Sequence, residues 1–418
     1  MSVWSAVWST LCRETGFLLR DRSVLALMAV TAALTAFAVW SGLQEVARQH
    51  ETIGRLAAAD RADREAALEQ QNDWGGAAYY SFHLTYDPPS EFAFAAMGQR
   101  DSASWKHRIR MLALEGQIHE SDAGNPEFAL IGRFDAAFLI AFVLPLLLIV
   151  LLYDVRASER AAGRYELLCA TAGRTGSLWA WRAGLRAASL YVVVLVPLLV
   201  GGWASGAGSG ILLAASVVVL VYAAFWAVVC SWLAAWRQAS PVILAGLVGI
   251  WMIVAVLVPA TGRAVIDHLV AVPSGAEIIM TQREAVNDAW DLPKEKTMEA
   301  FLLRHPEWAD YSGVERPFEW KWYYAFQQVG DQKTESLTDA YRAGKLERDR
   351  WAARVALLSP PALVERTFQQ LAGTDVAAAM AYEDSVRRFH AELRAYHYPK
   401  LFLDVPFDQE LLRDLPTY

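Results

Sequence analysis

Five stretches of this chain are apolar on every side for about the thickness of a lipid bilayer, and this limits its possible folds more than any other feature. They are residues 24–42, 134–153, 187–203, 210–232 and 241–260. A helix needs roughly 20 apolar residues to cross a hydrocarbon core about 30 Å thick. A backbone in lipid must also satisfy its own hydrogen bonds, which favours helices. A chain of 418 residues could bury a soluble core, so length alone decides nothing. The distribution of charge does. From residue 134 to 260 there are only four acids and seven arginines, and almost all lie in one block, 154–186. The fold class expected is an all-α polytopic membrane protein with about five transmembrane helices and a mainly helical external domain.

The third stretch is short and contains Pro197, so a kink or tilt is expected there, and Pro145 predicts the same in the second. The first stretch does not read as a cleaved signal peptide. It starts late, is too long, and no small-residue cleavage pattern precedes the charged residues 44–51.

Arginine placement predicts orientation, because short loops rich in Lys and Arg stay in the cytoplasm. With five spans, the N-terminal flank (Arg13, Arg20, Arg22), the 154–186 block and the turn with Arg237 fall on one side. The turn 201–209, on the other side, carries no charge. The N-terminus is therefore expected inside, with 43–133 and 261–418 outside. Those two segments hold 28 basic and 39 acidic residues, a net charge of −11, against 10 basic and 6 acidic elsewhere. An acidic exterior argues against nucleic acid and anionic headgroups as partners.

Residues 1–23 hold an amphipathic pattern (Val3, Trp4, Val7, Trp8, Leu11) that suits a helix at the inner membrane boundary or against other protein. Residues 44–71 are predicted to continue the first span outward as a solvated stalk, with pairs such as Glu51/Arg55 and Asp60/Arg64 four apart. Residues 73–126 read as a small irregular cap. In the tail, turn-rich and aromatic sequence (Trp308, Trp320, Trp322, Tyr323, Tyr324) runs to about Gly330, with packing the expected role of the rings. Helices are predicted over 335–358, 361–371 and 375–396, with Pro361 in a first turn and Thr374 as a cap.

Chemistry is mostly absent. There is no G-x-x-x-x-G-K-[ST], H-E-x-x-H or C-x-x-C, and no charge lies deep within a span. Cys12, Cys169 and Cys230 read as isolated thiols. The eight histidines all fall in the external segments. Only His390 and His397 could share a helix face, and packing histidines are weighed above a metal site. No cofactor is expected. GQRD (98–101) reads as structural, with Gly98 for a turn and Arg100 paired locally with Asp101.

The block 154–186 carries six arginines and three acids. By its pattern alone it is equally a docking element for a cytoplasmic partner or an orientation anchor. Its core, ERAAGRYELLCATAGRTGSLWAWR, resembles the cytoplasmic loop of ABC-2-type transporter permeases, with Glu159, Gly163, Leu167, Leu168, Arg174 and Arg182 at the family's positions. PPSEFAFAAMGQRD, NPEFALIGRFDAAF with PLLLIVLLYD, LSPPALVERTFQQLAGTD and RETGFLLRDR resemble the subgroup with large external insertions, DUF3526. The resemblance implies a transmembrane permease subunit of a bacterial ABC exporter in the inner membrane, not itself an enzyme. A cytoplasmic ABC ATPase dimer would bind the ATP and dock through a coupling helix, by Glu159, Arg160, Gly163, Glu166, Leu167, Leu168, Arg174 and Arg182. A second permease subunit, the lipid bilayer and a periplasmic partner complete the implied partners. The family has six spans, whereas here no sixth apolar run follows residue 261, so either the sequence is cut short or this permease works with five spans. The large external share leaves a second reading open: a mechanotransmission complex that moves periplasmic partners without passing a solute.

Overall fold

The computed structural model describes residues 12–120, 134–171 and 175–418. Five of its helices are long and apolar enough to cross a membrane: α1 (Arg22–Glu69), α4 (Ala136–Ala161), α6 (Thr175–Ser205), α7 (Ser209–Ala234) and α8 (Ser240–Leu269). They pack around a core that includes Val39, Leu144, Leu148, Leu190, Val194, Val219, Trp226 and Leu247.

α1 runs unbroken for 48 residues. Asp21 caps its start by accepting from the backbone N–H of Ser23 (3.1 Å) and Val24 (3.4 Å). Thr31 and Thr35 tie their hydroxyls to carbonyls four residues back, at 2.8 Å each, so polar atoms in the apolar half stay satisfied. The second half of the helix carries most of its charge, and one face of it is covered. Asp60 is buried, accepting from Arg64 (2.9 Å) and from Arg108 (3.1 Å) on a β-hairpin.

α4 and α8 each contain a π-turn, Leu139–Val143 and Ile253–Leu257. Proline explains both, since it has no N–H to give an earlier carbonyl. In the π-turn before Pro145, the Tyr222 hydroxyl donates to the carbonyl of Ala141 at 2.6 Å. Pro259 leaves that of Val254, five residues back in π register, and the Ser359 hydroxyl donates there, also at 2.6 Å.

The cap and the tail fold together. The cap holds α2 (Trp74–Tyr80), the antiparallel hairpin β1 (His83–Tyr86) and β2 (Lys106–Ile109) in register His83↔Ile109, and α3 (Leu114–His119). The tail holds α9 (Gly275–Asp291), α10 (Lys294–Leu302), α11 (Trp320–Ala356), α12 (Pro360–Ala372) and α13 (Val376–Phe402). α9, α10 and α13 pack on α11, and α3 on α9. The aromatic residues do pack: Trp322, Tyr324 and Phe326 are buried with Phe301, Tyr398 and Phe402.

Buried charge joins cap to tail. Asp331 accepts from the backbone N–H of Leu114 (2.7 Å), from Gln282 Nε2 (2.6 Å) and from Arg394 (2.6 Å). Burial pushes its pKa above the usual carboxylate range, opposed by Arg394. Arg387 grips Glu115 with two bonds, 2.8 and 2.9 Å.

Four expectations are corrected. The turn-rich reading to Gly330 fails, because α9, α10 and the first turns of α11 are helical. Pro273 and Pro293 precede α9 and α10 rather than interrupting them, and Ser274 caps α9 by accepting from Glu277 N–H at 3.1 Å. Asp375, not Thr374, caps α13, accepting from Ala378 N–H at 3.1 Å, while the Thr374 hydroxyl donates to the Ala96 carbonyl. Arg100 directs its guanidinium to Gln49 (2.9 and 3.1 Å) and Asp87 instead of the local pairing read from GQRD. α6 starts at Thr175, so the last residues of the 154–186 block are helix. Arg182 and Arg186 can sit there because each is bonded to a neighbouring segment, Arg182 to Glu14 and Glu159 and Arg186 to the Leu151 carbonyl.

Candidate functional site: the arginine end of the helix bundle

The dense arginine block lies at one end of the five helices, where α4, α5 (Tyr165–Thr171) and the start of α6 meet the chain before α1. Two of its arginines close helix ends. Arg160 donates to the Trp236 carbonyl (2.8 Å) and the Ala234 carbonyl (3.3 Å) just at the end of α7. Arg186 donates at 2.9 Å to the Leu151 carbonyl, where the regular helical run of α4 gives way to the turn 153–156. The last carbonyls of a helix lack internal partners and carry its negative dipole end, so a cation there is favoured.

The others form a chain of ion pairs. Glu159 accepts from Arg164 (2.8 Å) and Arg182 (3.2 Å), and Arg182 also donates to Glu14 at 2.9 Å. Glu14 is buried although it precedes the first span. Trp179 stacks on Tyr165 with ring centroids 5.4 Å apart, and the guanidiniums of Arg156 and Arg182 lie over its indole at 5.7 and 5.4 Å. Gly163 adopts φ +68°, a left-handed turn that costs glycine little, and this ends α4 and turns the chain into α5.

A cleft of about 430 Å³ opens among these groups, lined by Glu14, Asp21, Glu159, Arg164, Leu168 and Arg182, with Phe17, Leu18, Leu185 and Arg186 completing its walls. Three acids face three arginines, so its charge is balanced. The Ser23 hydroxyl holds the Asp21 carboxyl below its ordinary range. Such a cleft has no group placed as a nucleophile beside a base. Its chemistry is that of a braced, partly apolar socket.

The eight residues read from the sequence separate into two groups. Glu159, Arg160 and Arg182 are engaged within the bundle, with Leu168 lining the cleft. Glu166 and Leu167, the latter 66% exposed, face outward on α5, and Gly163 sits at the turn before it. Arg174 lies outside the described residues, as does the 1–11 part of the N-terminal pattern. Sequence reasoning missed Glu14, Arg156 and Arg186. The signal available for Glu14 was an acid set among apolar and basic residues, with no other acid before Asp21.

Other sites offer less. A larger cavity, about 850 Å³, lies between α2, residues 313–321 and 400–407, and mixes Trp74, Trp320 and Phe407 with both signs of charge. His390 and His397 are both buried in α13, and His390 Nε2 lies 3.2 Å from the Arg110 carbonyl. Among the described residues no group of three His, Cys, Asp or Glu side chains is placed to hold a metal ion. The described cysteines are free thiols.

Residues 276–418 match the family model described as a domain of unknown function, DUF3526. No curated protein and no solved structure matches the chain.

Proposed function

We propose that this chain is a multi-pass subunit of an ABC-2-type permease in a bacterial inner membrane, powered by a separate ATPase that docks at the arginine end. The observation that carries the reading is the division of labour in the 154–186 block. Glu159, Arg160, Arg182 and Arg186 fasten the block to α4, α7 and Glu14, while Glu166 and Leu167 stand outward on a short helix. A rigidly fastened knob beside a socket transmits push or pull from a partner to the spans with little slack. The match of 276–418 to DUF3526 accords with the resemblance read from the shorter motifs. In this reading the arginine end faces the cytoplasm, a second permease subunit completes the assembly, and no ATP binds here.

Co-purification with an ATP-binding subunit tests the proposal. Replacing Glu166, Leu167, Leu168 and Arg174 with alanine should abolish association while leaving the protein folded. Association that survives all four changes sinks the docking role.

A second reading has one specific support: α1 passes unbroken from the bundle into the external body, where Asp60 is clamped by Arg108. Such continuity suits a complex that moves an external partner without passing a solute. Vesicles containing the protein and its ATPase separate the two, because ATP-driven solute flux occurs only under the first.

A further inference from the structure

The lower end of α11 meets α8 in a register that can be followed contact by contact. Arg348 pairs with Asp267 (3.2 Å) and donates to the Val270 carbonyl (3.0 Å). A Cβ on Gly262 would lie 2.5 Å from Val355 Cγ1, so side chain and backbone touch there. Ser359 then reaches Val254. Position rises along α11 as it falls along α8, so the two run antiparallel. From Asp267 to Val254 the descent is roughly 20 Å at 1.5 Å per residue.

Depth follows from the other end of α8. Its apolar stretch starts at residue 241, and about 20 residues fill a 30 Å core, ending near residue 260 and just short of the exposed Arg263. Val254 lies six residues earlier, about 9 Å inside that boundary, and Ser359 lies with it. Leu357 and Leu358 precede Ser359 and are 72% and 70% exposed. One turn above them the exposed Arg354 lies over the Trp351 ring, 4.4 Å from its centroid. Arginine and tryptophan above, leucines below, is the order of a segment passing from headgroups to acyl chains.

The elbow also has no backbone donor left over. The N–H groups of Leu357, Leu358 and Ser359 bond to the carbonyls of Arg354, Val355 and Ala356. Pro360 and Pro361 have none to give. Ala362 N–H bonds to the Ser359 hydroxyl and Leu363 N–H to the Ser359 carbonyl. A turn in hydrocarbon requires this, because no water is there to take a leftover N–H. α12 then climbs back with Pro361, Val364, Phe368 and Ala372 against the bundle. At the same level of α8, Ile253, Val256 and Leu257 are exposed.

We propose that the elbow 357–361 is a re-entrant element of the external body, and that its outer face is covered by phospholipid acyl chains of the leaflet opposite the arginine end. The inference rests on the reading of α8 as a membrane span.

The test is a spin label on Leu357→Cys, with Cys12, Cys169 and Cys230 replaced, in the full chain reconstituted into phosphatidylcholine–phosphatidylglycerol vesicles. Relaxation by oxygen reports hydrocarbon, and relaxation by a water-soluble nickel chelate reports water. Leu220→Cys on α7 serves as the span reference and Leu303→Cys, 84% exposed in the external body, as the aqueous one. The oxygen-to-nickel ratio at 357 should exceed that at 303 several-fold and fall below that at 220, which lies about 15 Å deep, near mid-bilayer. A ratio at 357 equal to that at 303, with 220 still in lipid, overturns the re-entrant element. Protection from both reagents overturns the lipid assignment in favour of a protein cover, such as a second copy of the chain. Water exposure at 220 as well would show instead that the membrane reading itself is wrong.

Discussion

Replacing Arg394 with methionine tests how the cap is held to the tail. Arg394 and Asp331 are 15% and 16% exposed, and their bond is 2.6 Å. Removing one partner of a buried pair costs about 3–5 kcal/mol, because the remaining charge is stranded. Here Asp331 keeps Leu114 N–H and Gln282 Nε2 as donors, and some water reaches it, so about 2–4 kcal/mol is the better figure. For a unit of 150–250 residues, that corresponds to a melting point lower by roughly 5–15 °C. Tryptophan fluorescence of the detergent-solubilised chain during heating reads this directly, and hydrogen exchange should localise the loosening to α3 and α9. The sign with pH also follows. Burial already raises the Asp331 pKa, and without Arg394 it rises further, so the native variant favours the protonated acid. The loss is therefore smallest at low pH and grows as pH rises through the new pKa, then levels off. Adding Asp331→Asn removes the stranded charge and should restore more than half of the stability. A single variant within 0.5 kcal/mol of the parent, or a double variant no better than the single, refutes the argument.

Burial holds His83 and His397 neutral, with pKa values lowered to about 3, against about 6.5 unfolded. Below pH 6.5 each therefore draws the chain toward unfolding by about 1.4 kcal/mol per pH unit, or about 2 kcal/mol at pH 5. Replacing both with glutamine should flatten the loss measured by chemical denaturation between pH 7 and 5. Gly42→Ala would place a Cβ 2.0 Å from the Phe94 carbonyl oxygen, a backbone atom that no rotamer change can move. A cost of about 1–3 kcal/mol or more is expected, with lowered thermal stability as the readout. Ser359→Ala takes away the donor to the Val254 carbonyl and should cost about 1–3 kcal/mol, whereas Thr261→Ala, on an exposed hydroxyl of the same helix, should change the melting point little.

The five long helices were legible because all-round apolarity needs no partner to interpret. Their ends were not. α6 begins twelve residues before the apolar run at 187, since Arg182 and Arg186 satisfy themselves on Glu14 and on the Leu151 carbonyl of α4. α9 and α10 hid behind Pro273 and Pro293, which mark helix starts as readily as turns. The helical opening of α11 is crowded with aromatic residues of modest intrinsic helix preference, and it is held by packing such as Trp290 against Trp322, 5.3 Å apart. The arginine block stood out in the sequence, but which members are fastened inward was not readable. Arg182 and Glu14 are 168 residues apart, and no local pattern connects them.

The two π-turns give α4 and α8 one surplus residue each, and a surplus residue is a dislocation. If it migrates along a helix, every side chain it passes turns by about 100° and slides about 1.5 Å, while the ends stay anchored. In α4 the dislocation is pinned by the hydroxyl of Tyr222, and in α8 by that of Ser359. Each dislocation is thus held by one O–H group, and the one on α8 comes from the turn between α11 and α12.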